Sequence, residues 1–258
     1  MFLQYKEIPV FYADTGSGDT VVLLHGFLEN NTMWNAFTPK LSKQNRVISI
    51  DLLGHGNTGC LGHVHTMEMM AEVVHAVLNH LEITHATFIG HSMGGYVSLA
   101  FAELFPENII GLLLMNSTFE PDSEERKQNR DRAIAAVRQN HTSFVNMSIT
   151  NLFYSKNRKL FPEGIKLIKK EALKTPLQGI IAALEGMKVR RDRTWVLKNF
   201  PYKKAMILSK NDPILKFDDL YEKAQKINLE CIILPNGHMS HVENKNAVLQ
   251  HLQNFINK

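Results

Sequence analysis

The chain has 258 residues, of which 44% are hydrophobic and 21% are charged. This composition supplies enough apolar side chains for a sizeable core and excludes a chain that is disordered throughout. The formal net charge of +4 is far below the concentrated positive charge of a dedicated nucleic-acid binder, so nucleic acid is not an expected partner.

Cys60 and Cys231 lie far apart and outside any CxxC or Cys/His cluster. Neither a disulfide scaffold nor a structural zinc site is therefore expected. The first residues lack a secretory signal pattern, and no apolar run approaches the roughly 20 residues that cross a membrane. We expect a cytoplasmic protein without membrane association, present as a monomer or a homodimer.

The first predicted elements are strands. Alternating apolar residues before the Gly-Ser-Gly at residues 16–18 predict an antiparallel hairpin at a sheet edge. Short, mainly apolar runs predict buried strands at residues 21–24, 47–50, 87–89, 109–115, 205–208 and 231–234.

Helical periods separate these strands. Apolar residues from Met67 to Leu81 recur at the spacing that one helix face buries, and residues 95–104 predict a second helix. A last helix is predicted from about Glu243, with Val248 and Phe255 on its buried side. Helices that alternate with buried strands indicate a parallel sheet covered on both faces.

Residues 119–176 break this alternation. They contain helix-like stretches at 132–139 and 165–173 without a strand between them, which predicts a helical cap inserted into a core of residues 1–118 and 177–258. The cap carries 12 Lys/Arg and 7 Asp/Glu, a net charge of +5, whereas the rest of the chain has a net charge of −1. This charge is either a solvated surface or a means of attracting an acidic substrate.

Residues 90–94 have the form G-x-S-x-G between a predicted strand and a predicted helix, which is the context of a nucleophilic serine. The sharp turn at Ser92 requires small neighbours, and Gly90 and Gly94 provide them. The N–H groups at the start of the helix face any negative charge that develops there.

A serine hydroxyl needs an adjacent base, and that base needs an orienting acid. Asp212 and His238 each follow a predicted parallel strand, and so does Ser92, so all three belong at one rim of the sheet. Asp212 could instead be a turn residue, and His241 could replace His238 as the base. The rival acid position after residue 115 holds Asn116, which cannot ionise.

With these motifs the chain resembles the α/β-hydrolase superfamily, in its Ser-nucleophile, single-cap branch of small esterases and C–C bond hydrolases. The resemblance covers nearly the whole chain and rests on residues 24–27 (LHGF), 51–56 (DLLGHG), 90–95 (GHSMGG), the Asp212 loop and residues 237–243. It implies an α/β fold, with a mostly parallel twisted sheet, helices on both faces and an inserted helical cap.

The resemblance also implies roles for individual residues. Ser92 would be the nucleophile, His238 the general base and Asp212 its partner. The backbone N–H groups of Phe27 and Met93 would form the oxyanion hole. Neither a cofactor nor a metal is expected.

Ser92 and the residues that follow it restrict the reactions that the resemblance implies. Relatives that open epoxides or displace halide carry a carboxylate where this chain has Ser92, and a menaquinone-pathway lyase of this fold carries Arg where Tyr96 stands. The residues expected to line an apolar substrate pocket are Leu28, His91, Phe144, Phe153 and Met239. For the cap aromatics among them, packing of the cap onto the core is the alternative.

The sequence therefore predicts a serine hydrolase that cleaves a carboxylic ester of a small or medium acyl substrate. One alternative keeps the triad but cleaves a C–C bond of, or eliminates from, an acidic metabolite. An alternative of another class is a non-catalytic ligand receptor, because a fold does not determine a function.

Overall fold

In the computed structural model, which describes residues 1–199 and 201–258, eight strands form one sheet. The strands are β1 (Phe2–Tyr5), β2 (Ile8–Thr15), β3 (Asp19–Leu24), β4 (Asn45–Ile50), β5 (Ala86–His91), β6 (Ile109–Met115), β7 (Lys203–Ser209) and β8 (Glu230–Leu234). Their order across the sheet is β1-β2-β4-β3-β5-β6-β7-β8. Strands β3 to β8 are parallel, and β1 and β2 form the predicted antiparallel hairpin at one edge.

Helices cover both faces of this sheet, which confirms the predicted fold class. They are α1 (Thr38–Leu41), α2 (Met67–His80), α3 (Met93–Leu104), α4 (Glu124–Gln139), α5 (His141–Leu152), α6 (Pro162–Ala172), α7 (Leu177–Lys188), α8 (Thr194–Asn199), α9 (Phe217–Lys226), α10 (Ser240–Glu243) and α11 (Lys245–Ile256). Helix α2 begins where Thr66 Oγ1 accepts a hydrogen bond from Met69 N–H.

The buried side chains form one layer on each face of the sheet. Because successive strand residues point to opposite faces, Val22 and Leu24 of β3 pack in the larger layer with α2, α3 and the inserted helices. Val21 and Leu23 pack in the smaller layer with α11 and with the segment from Trp34 to Leu41. Both faces of the parallel strands are therefore removed from water, as their apolar sequences predict.

The segment between β6 and β7 contains α4 to α8. Helix α7 lies against a core loop, since Ala182 O accepts a hydrogen bond from His65 N–H (2.9 Å). Its last residue, Lys188, also pairs with Asp131 of α4 (2.6 Å). The division into a cap of residues 119–176 and a core stays a prediction.

None of the helices in residues 1–199 and 201–258 combines the length and the hydropathy that a membrane span requires.

Candidate active site

Ser92 lies at the turn between β5 and α3. Its φ of 50° falls in the left-handed region that favours glycine, so its backbone is strained. A Cβ on Gly90 would collide with the backbone of Gly94, and one on Gly94 would collide with the carbonyl group of Leu24. Ser92 N–H donates to Met115 O (2.9 Å), which ties the turn to the end of β6. The strand–serine–helix context that the sequence predicts is present in the fold.

Ser92→Gly is expected to be more stable than Ser92→Ala by about 1 kcal/mol, because both variants lose the hydroxyl but only glycine relieves the strain. Urea unfolding of the two variants measures the difference. At Ser98, in the middle of α3, the order should reverse, with glycine less stable than alanine by about 1 kcal/mol. A Ser92→Gly variant no more stable than Ser92→Ala would contradict the strain argument.

His238 and Asp212 lie within hydrogen-bonding distance in a chain that ends at this serine. His238 Nδ1 is 2.8 Å from Asp212 Oδ2, and His238 Nε2 is 2.9 Å from Ser92 Oγ. Because an ionised carboxylate can only accept, Nδ1 carries the ring proton and donates to Asp212. The lone pair of Nε2 therefore faces the serine hydroxyl, which is the arrangement that a general base needs. The structure brings the three predicted residues together.

Asp212 accepts hydrogen bonds from the backbone as well as from side chains. Its Oδ1 accepts from Ile214 N–H (2.8 Å) and Leu215 N–H (3.0 Å), and its Oδ2 accepts from Asn116 Nδ2 (3.1 Å). Burial opposes ionisation, but His238 and the two backbone N–H groups outweigh it and hold the pKa of Asp212 below its ordinary value. Asp212 is therefore a carboxylate at neutral pH.

Asn116 links the loops that carry the site, a contact that the sequence did not predict. Its Nδ2 also donates to Ser209 Oγ (2.8 Å), and its Oδ1 accepts from Ser240 Oγ (2.5 Å). From the sequence, Asn116 was considered only as a residue that cannot ionise and therefore cannot replace Asp212. Its position directly after an apolar strand could have indicated a place in the site, because the residues that follow parallel strands meet at one rim of the sheet.

The loop after β3 carries Phe27, one of the two predicted oxyanion-hole residues. Leu52 N–H donates to His25 Nε2 (2.9 Å), so His25 Nδ1 carries the proton and donates to Gly26 O (2.8 Å). Across the trans peptide, the N–H of Phe27 points away from that carbonyl group. The other predicted donor, Met93 N–H, belongs to the first residue of α3, where N–H groups lack partners within the helix. Their joint role stays a prediction.

Glu29 connects this loop to β5 and to the loop of His238. Its Oε2 accepts from Gly26 N–H (2.8 Å) and lies 2.7 Å from His91 Nδ1, while its Oε1 lies 3.4 Å from His241 Nε2. His91 Nε2 lies 3.1 Å from the carbonyl oxygen of His238, so it donates there. We call Glu29, His91 and His241 the Glu29 cluster. Its three members are buried.

The charges within the Glu29 cluster depend on one another. Burial opposes ionisation of Glu29, but His91 and His241 outweigh it and hold the pKa of Glu29 below its ordinary value. Burial also lowers the pKa of His91, but the Glu29 carboxylate outweighs this and raises it. Burial lowers the pKa of His241 to about 4, so that this ring is neutral at pH 7. The cluster therefore contains a carboxylate and an imidazolium that stabilise each other.

Glu29→Gln is expected to destabilise the protein, and more strongly at pH 6 than at pH 9. The proton on His91 is bound more tightly in the folded state, so its contribution to stability is complete below about pH 6.5 and is lost as the pH rises through the raised pKa. Without the Glu29 charge, burial lowers the His91 pKa. The difference in unfolding free energy from wild type should therefore shrink from about 3 kcal/mol as the pH rises.

Urea unfolding between about pH 6 and pH 9 measures this difference. Glu163→Gln, at an exposed position in the first turn of α6, is the matched control, and its difference from wild type should be small at every pH. A Glu29→Gln difference that is independent of pH would contradict the ion pair.

The Glu29 cluster also contains three metal-ligand types, with one ligand atom of each residue within 4.8 Å of the others. Two ligands of one tetrahedral zinc ion, each about 2.1 Å from the metal, lie roughly 3.4 Å apart. His91 Nδ1 and Glu29 Oε2 are only 2.7 Å apart, which is the length of a charge-assisted hydrogen bond. The geometry favours an ion pair, and the expectation of no metal centre stays a prediction.

A cavity of about 980 Å³ lies above Ser92 and His238. Its apolar walls come from the core and from the inserted helices, and include Phe27, Tyr96, Met147, Leu152, Leu184, Met187, Ile214 and Leu215. The cavity is large enough for a small or medium organic substrate.

The pocket residues predicted from sequence require a correction. His91 borders the cavity. Leu28, Phe144, Phe153 and Met239 are instead at most 8% exposed, and they pack in the larger core layer away from the cavity wall. Phe144 and Phe153 pack the inserted helices onto the core. This packing is the alternative to a pocket role that the sequence allowed for the cap aromatics.

Among the described residues, three of the four Lys and Arg side chains that line the cavity pair with acids, and Lys216 does not. Buried Asp122 pairs with Arg130 and, at 3.6 Å, with Arg126. Lys223 Nζ lies 2.9 Å from Glu120 and 2.8 Å from Asp219. The lining of the cavity therefore does not concentrate positive charge on an acidic substrate.

A family model described as the alpha/beta hydrolase fold matches residues 19–245. The malate-bound thermophilic esterase from Thermogutta terrifontis superposes with a TM-score of 0.92 at 31% sequence identity, covering 100% of this chain and 97% of the esterase. The enol-lactonase from Burkholderia xenovorans LB400 superposes with a TM-score of 0.91 over 100% of both chains. At 19% identity, that second likeness shows the fold alone.

A longer curated relative matches nearly the whole chain. The dihydrolipoyllysine-residue acetyltransferase component of the acetoin cleaving system of Pseudomonas putida is 29% identical over 249 residues, which is 94% of this chain. The chain spans 65% of the length of that relative. Because the family model covers most of its residues, this chain belongs to the α/β hydrolase fold family.

Proposed function

We propose that this chain is a hydrolase that cleaves carboxylic esters through a covalent acyl-enzyme. The observation that supports this most directly is the hydrogen-bonded chain from Asp212 through His238 to Ser92, with distances of 2.8 and 2.9 Å. His238 Nε2 takes the hydroxyl proton as Ser92 Oγ attacks the ester carbonyl carbon. His238 then returns that proton to the leaving alcohol.

Deacylation repeats these steps with water. His238 removes a proton from a water molecule as that water attacks the acyl carbon. His238 then gives the proton to Ser92 Oγ as the bond between Oγ and the acyl carbon breaks, which releases the acid and the free Ser92 hydroxyl. Asp212 stays ionised and stabilises the imidazolium that forms in both halves of the reaction. The N–H groups of Phe27 and Met93 bind the oxyanion, supported by the bonding of Gly26 O to His25. No cofactor takes part in this proposal.

The expected substrate is a neutral ester of a small or medium acyl group. The apolar walls of the cavity suit an acyl chain, and the pairing of most of its cations with acids makes an acidic substrate less favourable. This pairing weighs against the alternative of C–C cleavage in an acidic metabolite. The cytoplasmic location, the absence of nucleic-acid or membrane partners and the monomeric or homodimeric state stay predictions.

The proposal is tested with a serine-directed fluorophosphonate probe and a panel of p-nitrophenyl esters. We expect labelling at Ser92, found by peptide mapping, that is lost in His238→Ala. Neutral acetate, butyrate and octanoate esters should be hydrolysed with a higher kcat/KM than the hemisuccinate ester. Labelling elsewhere, or labelling of Ser92 that does not need His238, would contradict the triad. Saturable ester binding without turnover would favour the receptor alternative.

A further inference from the structure

A second groove, of about 610 Å³, lies between α5 and α6, outside the catalytic cavity. Its cationic lining consists of Arg158, Lys166, Lys169 and Lys170, and no carboxylate lines it among the described residues. Pro162, Ile165 and Leu173 form apolar wall, and Asn146 and Thr150 of α5 complete the lining. Part of the positive charge of the cap residues is therefore concentrated around one concave surface.

Among the described residues, the cations of this groove form no ion pair, whereas most of those that line the catalytic cavity do. In the part of the chain that the structure describes, no carboxylate oxygen lies within the 4.0 Å of an ion pair from any of them. Neighbouring Glu171 is occupied by Lys174, at 2.7 Å. Arg158 Nε is buried and has no hydrogen-bond partner among the described residues. Arg158 is partly exposed and lines the groove, so the other N–H groups of its guanidinium are available to an acceptor from a ligand.

We propose that this groove binds a phosphate-bearing organic anion. A phosphate group carries more charge and more acceptor oxygens than a single carboxylate, which suits several converging cations. The planar guanidinium of Arg158 can donate two parallel hydrogen bonds to phosphate, and the lysines act as point charges. The apolar residues offer a surface for the organic part of the ligand.

Helix α5 separates this groove from the catalytic cavity. Met147 and Leu152 line the cavity, whereas Asn146 and Thr150 line the groove. Leu152 O also accepts a hydrogen bond from the N–H of His238 (3.1 Å). A ligand in the groove therefore rests on the helix that contacts the loop of the general base.

The turn that carries Arg158 is hydrogen-bonded to α10, the short helix that follows the His238 loop. Glu243 Oε2 accepts from Tyr154 N–H (3.2 Å) and from Asn157 Nδ2 (2.8 Å), and Asn157 directly precedes Arg158. The base of the groove is thus held by the core.

Ligand binding should raise the melting temperature of the protein, since the ligand binds and stabilises only the folded state.

Isothermal titration calorimetry with phenyl phosphate, at low ionic strength, tests the proposal. We expect saturable binding that weakens at least about tenfold in the variant Lys166→Gln/Lys169→Gln/Lys170→Gln. The matched control is Lys40→Gln/Lys43→Gln/Lys245→Gln, which removes the same charge from exposed positions away from the groove and should bind like wild type. Arg158→Lys keeps the charge but loses the planar donor pair, and should also weaken binding.

Further probes separate the sources of the phosphate group. Binding to phosphatidylcholine vesicles that contain phosphatidic acid, without binding of phenyl phosphate, would assign the groove to a lipid headgroup. Benzoate should bind more weakly than phenyl phosphate, and equal binding would overturn the assignment to phosphate. The assignment also fails if neither phosphate probe binds, or if the groove variant binds like wild type. Ester hydrolysis by the groove variant without ligand should match wild type and shows that it is folded.

Discussion

Ser92→Ala is expected to reduce kcat for p-nitrophenyl butyrate by about 10³- to 10⁶-fold, because the substitution removes the atom that would form the acyl-enzyme. His238, Asp212 and the oxyanion-hole N–H groups remain, so the residual rate reports what they achieve without a nucleophile. Circular dichroism should be unchanged, since alanine keeps the backbone conformation and removes only a partly exposed hydroxyl. Steady-state kinetics on purified protein measure the effect.

Ser98→Ala is the matched control for this substitution. Ser98 lies on α3, and its Oγ donates to Gly94 O (2.8 Å) without reaching the cavity. Its loss should leave kcat within about twofold of wild type, because the buried Ser98 hydroxyl bonds only the backbone of its own helix and does not line the cavity. Undiminished turnover by Ser92→Ala, in a preparation that a fluorophosphonate probe shows to be free of other serine hydrolases, would overturn the proposed function.

The sheet could be predicted because its signals are local. Each parallel strand is a short apolar run that ends in polar or glycine-containing residues, and all six predicted runs are strands in the structure. The helix at Met67–His80 could be predicted from its apolar period. Boundaries were less accurate where capping decides them: α3 begins at Met93, two residues before the predicted start, because the strained turn ends at Ser92 itself.

The three residues of the proposed triad could be placed at one rim because each follows a parallel strand. That reasoning needs only the strand direction and the order along the chain. The distances of 2.8 and 2.9 Å between them could not be predicted, since they depend on how the Asp212 and His238 loops fold. Asn116, which supports Asp212 through a contact between residues 96 positions apart, was missed for the same reason.

The Glu29 cluster shows the limit of sequence reasoning most clearly. Glu29 meets His91 across 62 residues of chain, and neither residue lies in a motif that predicts the other. From the sequence, we predicted that His91 lines the pocket and considered His241 as an alternative general base. The pocket prediction failed at Phe144 and Phe153 because periodicity shows which residues are buried but not what they are buried against.

Asp212→Asn is expected to lower kcat for p-nitrophenyl butyrate by about 10⁴-fold while the fold is retained. The carboxylate selects the His238 tautomer with the proton on Nδ1 and the lone pair toward Ser92. An asparagine amide can donate to Nδ1, which places the proton on Nε2, where it faces the serine and cannot accept the hydroxyl proton. The Asp212→Asn substitution also removes the negative charge that stabilises the His238 imidazolium. Steady-state kinetics measure kcat, and KM should change far less, because Asp212 does not line the cavity.

Asn116→Ala is the milder variant with which Asp212→Asn is compared. It removes one donor to Asp212 Oδ2 (3.1 Å) together with the bonds of Asn116 to Ser209 and Ser240, but leaves the carboxylate and its bonds from Ile214 and Leu215. The loss in kcat should be roughly 10- to 100-fold, well below that of Asp212→Asn, because the carboxylate still selects the His238 tautomer and each supporting hydrogen bond contributes about 1 kcal/mol. If Asp212→Asn retained activity close to that of Asn116→Ala, the charge of Asp212 would be unnecessary. The site would then depend on hydrogen bonding alone to orient His238.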